Sequence, residues 1–132
     1  MRISIRAEVF PTESVEKVRK AVENLFPGLT YEVVEEGDRR YLLASGEGRD
    51  HLQRFHTRLR ELRILDAARS VMLGSLRKGR VSFRLNKQAA FAGYVNFSEE
   101  APLGAIEVEI EDEGIEDVVD WLAPSTVEGR EP

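Results

Sequence analysis

Two histidines, a row of carboxylates and a block of arginines are the residues of this chain whose types can do chemistry. His51 and His56 stand five apart, about 140° round a helix, so they cannot grip one metal ion together. The H-E-x-x-H spacing of a zinc protease is absent. His56 lies near an apolar stripe and is expected to be half-buried and hydrogen-bonded. No G-x-S-x-G elbow supports a serine nucleophile. Glu107, Glu109 and Glu111 share one face of an expected strand, with Asp112 and Glu113 after them. Aligned carboxylates can hold Mg²⁺ or Ca²⁺; such a row also serves as a solvated strand face that deters edge pairing. Asp66 has Arg63 and Arg69 three residues away on either side, which predicts ion pairs.

Glycine clusters offer less. Gly46-Glu47-Gly48 precedes a helix, but the third glycine of a dinucleotide fingerprint is replaced by His51. Gly74 to Arg80 lacks the G-K-[ST] ending of a phosphate loop. Both read as turns. Phe91, Tyr94 and Phe97 invite comparison with an RNA-stacking strand, though the spacing differs from that of an RRM. In a strand, Val95 and Phe97 share a buried face, and Tyr94 is the ring left free to stack.

Arginine-rich charge is the strongest pattern. Residues 1–48 carry 7 basic and 9 acidic groups, residues 49–87 carry 11 and 3, and residues 88–132 carry 1 and 12. The net charges are −2, +8 and −11, within a total of −5. One reading is a phosphate-tracking surface of Arg49, Arg54, Arg58, Arg60, Arg77, Lys78 and Arg80, with Tyr94 as a stacking partner. The other is that these arginines neutralise the acidic last third, in cis or across a dimer. A pI of about 5.2 favours the second, since nucleic-acid-binding domains tend to exceed 9. Arginine outnumbering lysine is consistent with the ion-pair networks of a thermophile.

The elements that must position these groups follow from periodicity. Ile3, Ile5, Ala7 and Val9 alternate with polar residues, giving a strand with one wet face. Pro11 ends it, Thr12 is an expected N-cap, and Val15 to Phe26 recur at helical spacing until Pro27-Gly28. Residues 30–36 and 39–45 flank Gly37-Asp38 as a hairpin. A helical stretch runs from about Asp50 to Leu76. Its first stripe, Leu52, Phe55, Leu59 and Leu62, would also bury Arg63 and Asp66 if the helix were straight. A break near residues 60–64 is therefore expected. Residues 81–85 form a strand, Asn86-Lys87-Gln88 a loop offering surface contacts, residues 93–97 a strand, and Ala101-Pro102-Leu103-Gly104 a turn. Residues 105–111 form a last strand and 115–122 a last helix.

The order is β-α-β-β-α-(α)-β-β-β-α, a two-layer α+β fold with helices on one face of an antiparallel sheet. The 132 residues form one domain over 1–124, with a loose tail over 125–132. With no cysteine, disulfides, zinc fingers and iron–sulfur centres are excluded. No apolar run reaches the ~18 residues of a membrane span. The first six residues are charged too early for a signal peptide, so a cytoplasmic protein is expected.

Two segments carry a resemblance. They are Arg63-Ile64-Leu65-Asp66-Ala67-Ala68-Arg69 and Leu85-Asn86-Lys87-Gln88-Ala89-Ala90-Phe91-Ala92-Gly93, the latter followed by Val95-Asn96-Phe97 and Pro102-Leu103-Gly104. With Pro11-Thr12-Glu13 and Asp120-Trp121-Leu122-Ala123-Pro124, the chain resembles the archaeal uncharacterised protein family 0201. The resemblance implies an α+β fold similar to the ribosomal domain that binds 5S rRNA in the large subunit. It implies a dimer, and no catalytic residues. The expectation is a non-enzymatic interaction module, homodimeric and without cofactor. RNA association through the 49–80 arginines is the alternative, and a divalent-metal protein or enzyme using residues 107–113 the second alternative.

Overall fold

A computed structural model describes residues 1–97, 104–128, 130 and 131. The expected turn at residues 101–104 falls mostly outside them. Chain order is β1 (Arg2–Val9), α1 (Val15–Leu25), β2 (Thr30–Glu36), β3 (Arg39–Glu47), a 3₁₀ turn (Arg49–Leu52), α2 (Gln53–Glu61), α3 (Leu65–Gly74), β4 (Arg80–Asn86), α4 (Lys87–Phe91), β5 (Ala105–Glu111) and α5 (Ile115–Leu122). The sheet runs β2-β3-β1-β5-β4, and every neighbouring pair is antiparallel.

Register explains the two faces. Ile5 lies opposite Ala44 and Val108, and Val108 lies opposite Phe83. All four are buried. Residues directly opposite one another share a face, so this face is apolar across the central strands, where the helices cover it. Phe55 of α2 stacks on Phe83 at 5.4 Å and meets Phe26 at 5.1 Å. The other face carries arginines and glutamates. Glu107 lies 3.2 Å from Arg84 and 4.0 Å from Arg6, and Glu109 lies 3.5 Å from Arg80. Basic middle and acidic end therefore meet across strands β4, β5 and β1.

The helical stretch breaks where the buried arginine and aspartate would have stood. Arg63 adopts φ +57°, the left-handed conformation that reverses a helix end. The Ile64 N–H donates to the Leu59 carbonyl at 3.0 Å and the Arg63 N–H to that of Arg60 at 3.1 Å. This is the Schellman pattern. It turns Arg63 and Asp66 outward, both exposed, while Leu65, Ala68 and Met72 go to the core.

Local expectations are corrected at six places. Ser14, not Thr12, caps α1, its hydroxyl accepting from the Lys17 N–H at 3.1 Å. Gly46 and Glu47 continue β3 rather than looping; at Gly46 a Cβ would lie 2.7 Å from His51 Nε2. Asn86-Lys87-Gln88 is no loop. Asn86 ends β4 and caps α4, its Oδ1 accepting from the Ala89 N–H at 2.9 Å. The expected strand at 93–97 is irregular chain, because α4 uses up the residues that would bring it into register. The Asn86 N–H still donates to the Asn96 carbonyl at 2.8 Å. Phe97 still packs on Phe83, edge to face at 5.9 Å. Asp66 accepts from the Thr126 hydroxyl at 2.6 Å, while Arg69 pairs with Asp120 at 2.8 Å. The tail is thus tied to the domain at Thr126, and again where Glu131 pairs with Arg60.

Candidate nucleic-acid interface

Helix α2 buries Phe55 and Leu59, which leaves Gln53, Arg54, Thr57, Arg58 and Glu61 on its outer side. Helix α1 packs beside α4 and presents Lys17 and Lys20, both exposed, on its own outer side. Between α1, α2 and the end of α4 runs a groove of about 760 Å³. Arg54, Arg58 and Phe91 line it, with Asp50 and Glu61 as its acidic residues.

One exposed aromatic ring, Phe91, lines this groove, and a second, Tyr94, stands at its margin beside Arg58. Phe91 is 39% exposed and Tyr94 54% exposed. Lys17 Nζ lies 5.2 Å and Lys20 Nζ 5.9 Å from the centre of the Phe91 ring. The Arg58 guanidinium lies 5.2 Å from the centre of the Tyr94 ring. These are cation–π distances.

The segment carrying the rings is held from both sides. The Asn24 amide donates to the carbonyls of Ala90 at 3.1 Å and Phe91 at 2.9 Å. Arg58 Nε donates to the Gly93 carbonyl at 2.9 Å. Gly93, at φ +83°, closes α4 in a second Schellman pattern: its N–H donates to the Ala90 carbonyl at 2.9 Å and that of Tyr94 to Ala89 at 2.8 Å. Arg54 is exposed and makes no ion pair among the described residues. Arg58 is shared with Glu61 at 3.6 Å.

The other sequence-predicted cations stand elsewhere. Arg49 lies over the Trp121 ring at 5.1 Å. Arg60 donates to the carbonyls of His56 at 2.9 Å, Leu122 at 3.0 Å and Trp121 at 3.1 Å, so it caps the end of α5. Arg77 and Lys78 form the turn into β4, beside Glu113, Glu116 and Asp117. Arg80 is paired with Glu109. Only Arg54, Arg58 and Tyr94 of the predicted set converge. Of the expected surface trio, Asn86 is a helix cap, Gln88 is exposed, and Lys87 is buried.

Lys17 and Lys20 stand outside the set expected from the sequence, and Phe91 enters it only through the comparison with a stacking strand, in which Tyr94 is the ring left free. Their signal is the three-residue spacing of the lysines on the wet side of an amphipathic helix, and the Asn86 … Gly93 cap pair that makes residues 87–91 helical.

Both histidines are engaged within the fold. His51 Nδ1 donates to the Pro27 carbonyl at 2.9 Å. His56 stacks on Trp121 at 4.7 Å; burial, then the neighbouring Arg60 charge, push its imidazole below the usual value. Among the described residues no group of three or more histidine, aspartate or glutamate side chains is arranged to hold a metal ion. Glu107 and Glu109 face arginines instead. No helix among the described residues is long and apolar enough to cross a membrane.

Comparison with known proteins agrees with this architecture. A family model described as RNA binding matches residues 2–111. The UPF0201 protein MK0399 of Methanopyrus kandleri is 49% identical over 98% of this chain and 88% of its own length. The UPF0201 protein TK1335 of Thermococcus kodakarensis is 41% identical over 96% of this chain and 92% of its own. A crystal structure of the UPF0201 protein from Methanococcus jannaschii superposes with a TM-score of 0.89 at 32% identity, covering 98% of this chain and 97% of that one. The chain belongs to the UPF0201 family of archaeal proteins, within the family whose model is described as RNA binding.

Proposed function

We propose that the protein is a non-enzymatic RNA-binding module that takes its ligand in the groove between α1, α2 and α4. One observation carries this reading: Arg54, Arg58 and the exposed Phe91 ring line one groove, with Lys17 and Lys20 over the Phe91 ring and the exposed Tyr94 ring under Arg58 at its margin. Phosphates supply the electrostatic part of RNA affinity, and exposed rings give bases a surface to stack on. The family description supports the same class of ligand. The overall charge of −5 does not oppose it, because Glu107 and Glu109 face arginines on the sheet and no described acidic residue of the last third lines the groove.

The test is fluorescence anisotropy with labelled RNA from low to physiological salt. Binding that weakens with salt, is lost in Arg54→Glu/Arg58→Glu and survives in Arg77→Glu/Lys78→Glu supports the groove. Absence of binding at 50 mM salt sinks the reading.

Self-association is a second reading, favoured by one feature. Strand β2 is an edge of the sheet, and its Val33 is 46% exposed. An unpaired edge can add a strand from a second copy. Light scattering that reports a dimer, made monomeric by Val33→Lys, supports this; a monomer at high concentration removes it.

A further inference from the structure

We infer that the groove selects single-stranded RNA, with bases stacked on Phe91 and Tyr94, over a footprint of about four phosphates. This rests on the RNA-binding reading above and narrows it.

Base faces are the reason. In an A-form duplex they are covered by neighbouring base pairs, and a protein meets only phosphates, 2′-hydroxyls and a shallow minor groove. Rings at the surface gain nothing from such a ligand. An unpaired strand can lay its bases on them. Isolated exposed aromatics are common on protein surfaces and need no explanation. Here both rings lie within four residues, and three side-chain hydrogen bonds, two from Asn24 and one from Arg58, fix the backbone between them. A platform held in this way loses little conformational freedom when a base arrives. Each ring also has a cation over it, so a base that takes a ring face brings its own phosphate within reach of that cation.

The size of the positive patch points the same way. Duplex-binding domains span about 16 base pairs. Here the cations number four, and the carboxylates of Asp50 and Glu61 line the groove beside them. Neutralising four phosphates of a single strand gives a slope of about −3 in log affinity against log salt.

The experiment compares a labelled 12-nucleotide RNA without self-complementarity with its own duplex, on the full chain. The expected result is at least tenfold tighter binding of the single strand, with a salt slope near −3. Phe91→Ala and Tyr94→Ala should each weaken it about tenfold or more, as loss of a base stack does. Phe91→Tyr and Tyr94→Phe should restore it, since a ring remains. Both side chains are exposed, and circular dichroism checks that the alanine variants stay folded. Equal affinity for strand and duplex, or unchanged binding by Phe91→Ala/Tyr94→Ala, overturns the inference while leaving RNA binding in the groove intact. No binding of either RNA by the unaltered protein overturns both.

Discussion

The ammonium of Lys87 lies 2.9 Å from Oε1 of Glu13, with the two side chains 4% and 8% exposed. Lys87 also donates to the Glu8 carbonyl at 2.6 Å, and the same Glu13 oxygen accepts the Phe10 N–H at 3.0 Å. One buried ion pair thus ties the start of α4 to the end of β1 and the approach to α1. Burying two charges is costly, and removing one partner strands the other without water. Lys87→Met is therefore expected to destabilise the fold by about 3–5 kcal/mol. Adding Glu13→Gln to it should recover much of that loss. Urea unfolding of both variants checks the pair; additive losses would show that the two charges are not coupled.

Arg63 holds a left-handed backbone conformation that glycine adopts without strain. Its side chain is exposed. Arg63→Gly should raise stability by about 0.5 kcal/mol, the relief of strain exceeding the added freedom of the unfolded chain. Arg63→Val, branched at Cβ, should lower it by about 1–2 kcal/mol. Thermal melts of the two variants should move in opposite directions.

Asn86 carries the cap on which α4 depends. Asn86→Ala is expected to cost about 1 kcal/mol, and Asn86→Asp should retain the cap. Because α4 presents Phe91, the alanine variant should also bind RNA more weakly than its loss of stability alone requires. Anisotropy well below the melting temperature separates the two effects.

His56 gives the fold a pH dependence of known sign. Burial and Arg60 lower its value from the usual 6.5, while Glu131 and the Trp121 backbone oppose them. A group whose folded value is depressed contributes stability above the unfolded value and loses it as pH falls through the folded one. The melting temperature should therefore drop below about pH 6.5 through this residue. His56→Phe, which keeps a ring against Trp121, should show a smaller drop between pH 7.5 and 5.0. An identical drop would assign the acid sensitivity to other groups.

Much of this fold is legible in short-range pattern. Alternation in β1 and β5 places Ile5 and Val108 on the covered face, and the arginine and aspartate that a straight helix would bury mark the break at Arg63. What escapes is chemistry set by distant neighbours. Lys87 reads as a surface residue because nothing nearby shows that Glu13, 74 positions away, will meet it. The arginines of residues 49–80 read as one patch along the chain. In three dimensions Arg60 caps α5, Arg80 joins the sheet and only Arg54 and Arg58 reach the groove. The rings are visible in the sequence, but a loop at Asn86-Lys87-Gln88 hides the helix that presents Phe91.

Strand β5 lies between β1 and β4, although it is the last strand made. Strands β1 and β2 both pair with β3, and all three are complete by residue 47. Strand β4 pairs only with β5 among the strands of the sheet. During synthesis, then, β4 leaves the ribosome with no ladder to join, and its arginines precede the glutamates that will face them. The final strand acts as the closing insert of the molecule, so a chain stopped at residue 104 would hold three of the five strands as a sheet and β4 as an orphan.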